Sequence, residues 1–216
     1  MERPDVAVVI PAFNEAQTIV SVISPLIGKY QVIVVDDASS DGTLEAVSGA
    51  GVCVFRHEKN GGYDDSVSTG FHEAALLGCS YVVTMDADGQ HDAGLIGSVV
   101  ASLENGASLV VGIRPRTQRF SEKIFAWVTF TKFGVRDPLS GFKGYRMEMY
   151  QQLGHFDSYR SIGTEMLLYA ASQKLEITQM PIPIRPRIGS PRFGNTLRAN
   201  IKILRALMIG LFRYRK

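Results

Sequence analysis

The segment YVVTMDADGQHD, residues 81–92, places acidic side chains directly after a run typical of a buried strand. Asp86 and Asp88 could both reach one ion if the chain leaves strand geometry at Ala87. Carboxylates gathered at one sheet edge repel one another unless a cation lies between them, and a hard divalent ion suits them best. We therefore predict a Mg²⁺ or Mn²⁺ site that keeps positions open for substrate phosphates, its shell completed by Gln90 and His91.

A purely structural role is the alternative for these aspartates, because Asp also caps helices and shapes turns. A calcium-binding EF-hand loop is excluded. The loop position that requires glycine is His91, and the closing acidic position is Gly97.

The elements that would position these residues alternate between short β-branched runs and segments of helical period. The runs are VAVVI (6–10), VIVV (32–35), VCVF (52–55), YVVTM (81–85) and LVVG (109–112), with helical segments near 15–29, 43–50, 65–78 and 93–104. This order predicts an α/β sandwich with a mostly parallel central sheet and helices on both faces. Ligands of such sheets bind at the carboxyl ends of the strands, and each of the first four runs is followed by a polar or acidic segment there.

Several other functional classes lack their motifs. No GxGxxG follows a strand, and the chain contains no Walker loop, HExxH, CxxC or GxSxG. This argues against hydride transfer by the standard route, P-loop hydrolysis, zinc proteolysis and serine hydrolysis.

Five motifs in register resemble the family 2 inverting glycosyltransferases of the GT-A fold. They are VVIPAFNEAQTI, VIVVDDASSDGT, NGGYDDSVSTGF, VTMDADGQH and DPLSGFKGYR. The similarity covers about residues 5–195 and is greatest to the polyprenol-phosphate branch, which includes dolichol-phosphate mannosyltransferases. It implies a Rossmann-like nucleotide-diphospho-sugar transferase domain over residues 1–195.

The resemblance also implies a role for each matching residue on the donor side. The nucleoside would be held by Pro11, Ala12, Asn14, Glu15, Asp36 and Asp37. The divalent ion bridging the donor phosphates would be bound by Asp86, Asp88 and Gln90. Arg114 matches the basic residue after the fifth strand, and the predicted catalytic residues are Asp88, Arg114 and Asp137.

On the acceptor side, the resemblance assigns binding to Asp137, Ser140, Lys143, Arg146, Arg185, Arg187, Ser190 and Arg192. A lipid phosphate is already ionised near neutral pH, so it needs cations more than a general base. A sugar hydroxyl would need a carboxylate to take its proton, and Asp137 is then the candidate. Glu165 matches an acid near the acceptor side, although a charge at a helix N-terminus explains it equally well.

Three residues depart from the family pattern. Tyr63, Asp64 and Asp65 stand where Lys, Gly and Ala are usual, so a cationic contact to the donor is in doubt. A helix N-cap role for Asp65 is the structural alternative. His57, His72 and His155 are isolated in the sequence, which indicates surface or loop positions.

The end of the chain is basic and amphipathic. Residues 185–216 carry nine Arg or Lys and no acidic residue, whereas the remaining 184 hold 14 basic and 21 acidic side chains, a net charge of −7. The spacing of apolar and basic residues over 196–216 predicts a helix with an apolar side and a cationic side. Such a helix suits an anionic membrane interface, and docking onto the protein body or a second copy is the alternative.

The sequence therefore predicts a metal-dependent transferase that moves a hexose from a GDP-mannose or UDP-glucose type of donor to a polyprenyl phosphate. We expect it to be cytoplasmic and peripheral at the inner membrane face. The alternatives are the same core acting on a saccharide hydroxyl, and a nucleotide-sugar-binding protein without turnover.

Overall fold

A computed structural model of the chain describes residues 3–115, 119–186 and 196–214. In this part of the chain, one seven-stranded sheet has the order β3-β2-β1-β4-β6-β5-β7. The strands are β1 (Arg3–Ala12), β2 (Tyr30–Asp36), β3 (Cys53–Arg56), β4 (Tyr81–Thr84), β5 (Leu109–Ile113), β6 (Lys143–Arg146) and β7 (Ile177–Pro181). All five predicted strands are confirmed, and β6 and β7 are additions that periodicity did not indicate.

The strand directions place the predicted loops at one edge of the sheet. β1 pairs in parallel with β2 and β4, β2 with β3, and β5 with β7. β6 is antiparallel to both β4 and β5 and lies between them, so β4 and β5 point the same way. The first five strands therefore all end at the same edge.

Helices cover both faces, which explains why the predicted strands are almost continuously apolar. They are α1 (Ile19–Ile23), α2 (Thr43–Val47), α3 (Tyr63–Leu76), α4 (Ile96–Glu104), α5 (Phe120–Phe133), α6 (Met147–Leu153), α7 (Glu165–Ser172) and α8 (Thr196–Arg213). Val8 and Ile10 pack into the hydrophobic core on one face and Ala7 and Val9 into that on the other, all with no exposed surface.

The first predicted helix is shorter than expected. The pattern indicated 15–29, but α1 spans Ile19–Ile23 and the chain continues in turns. Pro25 contributes to the early end, because proline has no N–H to donate to the carbonyl four residues before it.

A third apolar cluster joins α5 to α8. Phe125 of α5 packs with Ile203, Ala206 and Leu207 of α8. Across the described residues, no helix combines the length and the apolar character that crossing a membrane requires. The helix predicted after residue 195 is present, and the division of the chain at that point stays a prediction.

Candidate active site

The acidic loop, residues 86–92, begins two residues after the end of β4. Asp88 is 4% exposed, and its Oδ1 accepts a hydrogen bond from the Gln90 N–H at 3.0 Å. The side chain of Asp86 is 36% exposed. The loop thus brings one nearly buried and one accessible carboxylate to the carboxyl edge of the sheet.

The chain before β6 needs a glycine where it passes Asp86. A Cβ built on Gly141 would lie 2.4 Å from Asp86 Oδ2 and 2.7 Å from its Cγ. The Thr84 hydroxyl donates to Gly141 O at 2.8 Å and fixes this stretch of backbone against β4. The Asp86 carboxylate therefore occupies space that any larger residue at position 141 would fill.

Asp86 and Asp88 stay the predicted ligands of an ion that is shared with a substrate. Among the described residues, no group of three or more His, Cys, Asp or Glu side chains is placed to hold a metal ion. Two carboxylates could supply only part of a coordination shell. Mg²⁺ commonly accepts such a site and takes its other ligands from water and substrate phosphates.

Gln90 and His91, predicted to complete the shell, have other partners. The side-chain Nε2–H of Gln90 donates to Arg185 O at 3.2 Å, and the backbone O of Gln90 accepts the Arg185 N–H at 3.0 Å. His91 is buried against the Phe142 ring, with centroids 5.4 Å apart, and its Nδ1 accepts the Asp86 N–H at 3.3 Å. Gln90 thus fastens the segment after β7 to the acidic loop, and its role as a metal ligand stays a prediction.

The residues predicted to hold the nucleoside meet at the ends of β1 and β2. The Asn14 N–H donates to Ser39 Oγ at 2.9 Å, and Asn14 Oδ1 accepts the Ser40 N–H at 2.8 Å. The Glu15 N–H donates to Thr43 Oγ1 at 2.8 Å. These bonds join the loops after β1 and β2, so the structure brings together Pro11, Ala12, Asn14, Glu15, Asp36 and Asp37.

Asp36 carries a buried oxygen that no described residue satisfies. The residue has no exposed surface, and its Oδ1 accepts the Ser39 N–H at 3.2 Å. Its Oδ2 lies 3.6 Å from Arg56 Nε and has no hydrogen-bond partner among the described residues. Leaving a buried acceptor unpaired is costly, so a bound ligand that brought an N–H to this atom would gain a hydrogen bond that the described residues do not supply.

Asp37, in contrast, uses its carboxylate to shape the loop between β3 and α3, residues 57–62. Its Oδ1 accepts the Gly61 N–H and its Oδ2 the Gly62 N–H, both at 2.8 Å. His57 bridges Asp37 Oδ1 at 2.8 Å and Thr69 Oγ1 at 2.9 Å. His57 lies in the loop after β3, which agrees with the loop position predicted for it. The adjacent parallel strands β2 and β3 end one residue before Asp37 and His57, which brings these two side chains together.

Arg114 and Asp137 form a buried bidentate pair beyond β5. Asp137 Oδ2 accepts the Arg114 Nε–H at 2.8 Å and its backbone N–H at 3.0 Å, while Oδ1 accepts from Nη2 at 2.9 Å. Glu122 Oε2 lies 3.2 Å from the same Nη2. Burial alone would lower the pKa of Arg114, but Asp137 and Glu122 outweigh it and raise the pKa, so the guanidinium keeps its charge.

We expect Asp137→Ala to lower the free energy of unfolding by about 3 kcal/mol, because it removes one partner of a buried ion pair while Glu122 remains. Urea denaturation followed by circular dichroism measures this. Glu58→Gln, an exposed acidic site, should change it by less than about 0.5 kcal/mol. Equal stability of the two variants would contradict a structural role for the pair.

Lys143 is a buried lysine at the start of β6. It is 1% exposed, and its Nζ donates to Ser140 O at 2.6 Å and to Gly163 O at 3.1 Å. Burial lowers its pKa to about 8, although Asp137 and Asp86 favour the charged form. Lys143 therefore adds a positive charge beside the end of β4, and it links the turn before β6 to the segment before α7.

The other predicted acceptor residues are distributed differently. Ser140 is buried in the turn before β6. Arg146 pairs with Tyr81 at the opposite edge of the sheet, and its guanidinium donates to Leu103 O in the last turn of α4 and to Ala107 O after that helix. The structure thus separates Arg146 from the site. Three predicted residues, Arg187, Ser190 and Arg192, lie outside the described residues.

Glu165 has no exposed surface, and several side chains contact its carboxylate. Its Oε1 accepts hydrogen bonds from Tyr214 Oη at 2.8 Å and Ser158 Oγ at 2.8 Å, and lies 3.2 Å from His155 Nε2. Glu165 also begins α7. These contacts favour the structural explanation of this residue, because they tie the end of α8 to α7.

The family model described as glycosyl transferase family 2 matches residues 7–163, which is more than half of the chain. The chain belongs to this family. The Rossmann-like sheet and the acidic loop after β4 are therefore those of a family 2 glycosyltransferase.

Individual relatives of this family 2 glycosyltransferase act on dolichyl phosphates, according to their names. A UDP-N-acetylglucosamine–dolichyl-phosphate N-acetylglucosaminyltransferase of Methanococcus voltae is 27% identical, over 93% of this chain and 94% of that protein. A dolichol-phosphate mannosyltransferase of Pyrococcus furiosus is 28% identical, over 94% of this chain and 63% of that protein.

A solved structure confirms the fold. Glucosyl-3-phosphoglycerate synthase from Mycobacterium tuberculosis, in complex with Mn²⁺ and UDP-glucose, superimposes with a TM-score of 0.75 at 23% identity. The match covers 95% of this chain and 78% of that one. The predicted GT-A fold is thus confirmed.

Proposed function

We propose that this family 2 glycosyltransferase moves a hexose, with inversion, from a nucleoside-diphosphate sugar to a polyprenyl phosphate, with Mg²⁺ or Mn²⁺ as cofactor. The observation that carries the choice of acceptor is the engagement of Asp137. Both of its oxygens already accept hydrogen bonds from Arg114. A carboxylate held in this way is a poor proton acceptor, whereas an ionised phosphate acceptor needs no general base.

The reaction is a single displacement. A phosphate oxygen of the acceptor forms a bond to the anomeric carbon as the bond from that carbon to the donor diphosphate breaks. The electron pair of the broken bond stays on the leaving diphosphate. A divalent ion held by Asp86 and Asp88 would stabilise that extra negative charge.

The protein contributes binding and charge at this edge of the sheet. Asp36 Oδ2, which lacks a donor among the described residues, would accept an N–H of the nucleoside base. Arg114 and Lys143 keep positive charge near the reacting phosphates, which lowers the electrostatic cost of bringing a phosphate acceptor beside a diphosphate.

Membrane contact through α8 fits a lipid acceptor. The helix turns its buried side, with Ala199, Ile203 and Ala206, toward the protein. Its opposite side exposes an apolar stripe made of Leu197, Ile201, Leu204, Met208 and Phe212. On the neighbouring helix α5, three aromatic side chains are also exposed: Phe120, Trp127 and Phe130.

Charge favours an anionic lipid surface as the partner of this apolar stripe. Arg198 and Lys202 are exposed on α8 beside the stripe, and residues 185–216 contain no acidic side chain. Juxtamembrane basic residues each gain about 1 kcal/mol near an anionic leaflet. We therefore propose that the protein is peripheral at the cytoplasmic membrane face.

Met208→Glu should weaken binding to vesicles containing anionic phospholipid by about tenfold or more, because it places a charge on the side of α8 that would enter the lipid. Co-sedimentation with vesicles of phosphatidylglycerol and phosphatidylcholine measures the binding. Leu76→Glu is the matched control, since Leu76 of α3 is exposed to the same 68% as Met208. Equal vesicle binding by both variants would argue for a second protein copy or packing as the role of the stripe.

Two measurements test the proposed reaction. Thermal unfolding with UDP or GDP, each with and without Mn²⁺, shows which nucleotide is bound and whether the ion strengthens its binding. Donor consumption is then compared with a short polyprenyl phosphate, with 3-phosphoglycerate, with a saccharide and with no acceptor. Turnover that depends on the polyprenyl phosphate supports the proposal. Preference for a saccharide, or nucleotide binding without any transfer, contradicts it.

A further inference from the structure

Asp64, one of the three departures from the family pattern, is bound to a distant loop. It lies in the first turn of α3 and is 9% exposed. Its Oδ1 accepts the Gly163 N–H at 2.7 Å and its Oδ2 the Ile162 N–H at 3.1 Å. The first turn of α3 and the segment before α7, almost a hundred residues apart in sequence, are thus joined by one carboxylate.

The segment that Asp64 holds has a strained backbone. Arg160, Ile162 and Gly163 have φ values of 58°, 60° and 67°. A positive φ is rare for a β-branched residue such as Ile162 and costs about 1–3 kcal/mol. Such a conformation persists only where its surroundings enforce it.

Two carboxylates provide that enforcement. Asp157 accepts the N–H groups of Arg160 and Ser161, both at 2.8 Å, and Asp64 accepts the next two. Four successive backbone N–H groups, from residues 160–163, are therefore bound by acids of this chain. We call residues 160–163 the clamped loop.

The other side of the clamped loop touches the candidate active site. Lys143 donates to Gly163 O at 3.1 Å while it also donates to Ser140 O. A Cβ built on Gly163 would lie 3.0 Å from Cε1 of Tyr63, so the phenol ring packs on this glycine. Lys143 begins β6, which is on the far side of β4 from the nucleoside-binding strands β1 and β2.

We propose that Asp64 is a positioning residue for the acceptor, which acts by locking the clamped loop against Lys143 and Tyr63. This inference rests on the proposed transferase function. The clamped loop contacts Lys143 and Tyr63, and the charge of Asp86 acts on the pKa of both of these residues. Asp64 stands where a small residue is usual in the family, and its carboxylate connects the first turn of α3 to the clamped loop.

The charges around Asp64 give the clamp a dependence on pH. Burial raises the pKa of Asp64 to about 6, and the nearby acids Asp157 and Asp65 add to this, while the bonds from Gly163 and Ile162 oppose it. Lys143, Tyr63 and Tyr145 are the other titratable groups that face it. Because the pKa of Asp64 is raised above that of an exposed carboxylate, its buried position is favoured when the group is protonated, and this contribution to stability is lost as the pH rises through about 6.

The experiment compares Asp64→Asn with Asp65→Asn, which removes the same charge one residue further along at an exposed position. Hydrogen exchange of the backbone amides of residues 160–163 reports on the clamp without any substrate. Transfer kinetics with donor and acceptor varied separately report on its role. For Asp64→Asn we expect faster exchange and an acceptor KM raised about tenfold, with donor KM and kcat within about twofold, as for one lost charge-assisted hydrogen bond.

Unchanged amide exchange in Asp64→Asn, or the same changes in Asp65→Asn, would overturn the clamp. Parallel changes in kcat and both KM values would overturn the acceptor role. If the unmodified protein transfers no sugar, the proposed function fails and the acceptor role with it, while the exchange data still decide whether the clamp exists.

Discussion

Asp88→Asn should lower the rate of sugar transfer by about 10²–10³-fold, because under the proposed function it removes a charged ligand from the ion that would stabilise the leaving diphosphate. The same variant should lose the additional thermal stabilisation that Mn²⁺ gives in the presence of the nucleotide. Both quantities are measured on one preparation, by donor consumption and by thermal unfolding with nucleotide in the presence and absence of Mn²⁺.

The control for this variant is Asp92→Asn in the same acidic loop. Asp92 accepts the Gly94 N–H at 3.0 Å, and an asparagine keeps that turn while removing an equal charge. Transfer by Asp92→Asn should stay within about threefold of the unmodified protein. If Asp88→Asn kept its transfer rate and its Mn²⁺-linked nucleotide binding, the aspartates would serve only the structure of the sheet edge.

Gly141→Ala should also reduce transfer by about 10²-fold or more, although it changes no polar group. The new methyl carbon would lie 2.4 Å from Asp86 Oδ2, far inside van der Waals contact, so the carboxylate must move. A displacement of about 1 Å in a catalytic group can cost this much. Donor consumption and Mn²⁺ titration of nucleotide binding measure the loss.

Gly97→Ala is the matched substitution for this test. Gly97 lies in α4, and a Cβ built on it would have no neighbouring atom within 4 Å, so alanine there should raise stability by up to about 1 kcal/mol and leave transfer unchanged. Full activity of Gly141→Ala would show that Asp86 can leave its present position without loss, and would remove Asp86 from the metal site.

Much of the sheet could be predicted because the strands carry a strong local signal. Val6–Ile10 and residues 32–35 are apolar at each position, and their burial on both faces follows directly from helices on both sides. The loops at the strand ends could be placed because parallel strands end at one edge.

The remaining elements depend on tertiary contacts that have no local signature. β6 has the sequence KGYR, which contains two cations and a glycine, and it is a strand because β4 and β5 pair with both of its sides. The position of Arg146 could not be predicted for the same reason. It follows Lys143 by three residues on β6, and this length carries the chain from one edge of the sheet to the other. The link from Asp64 to Gly163 spans 99 positions and could not be inferred from spacing.

The reversed strand β6 has a consequence for how the chain acquires its structure during synthesis. β4 and β5 leave the ribosome before the residues that join them, so each first presents an unpaired edge on that side. Unpaired apolar edges promote association between chains. The sheet becomes continuous only when residues 143–146 insert between these strands, and a nascent chain that stalls before this point should therefore be prone to aggregate.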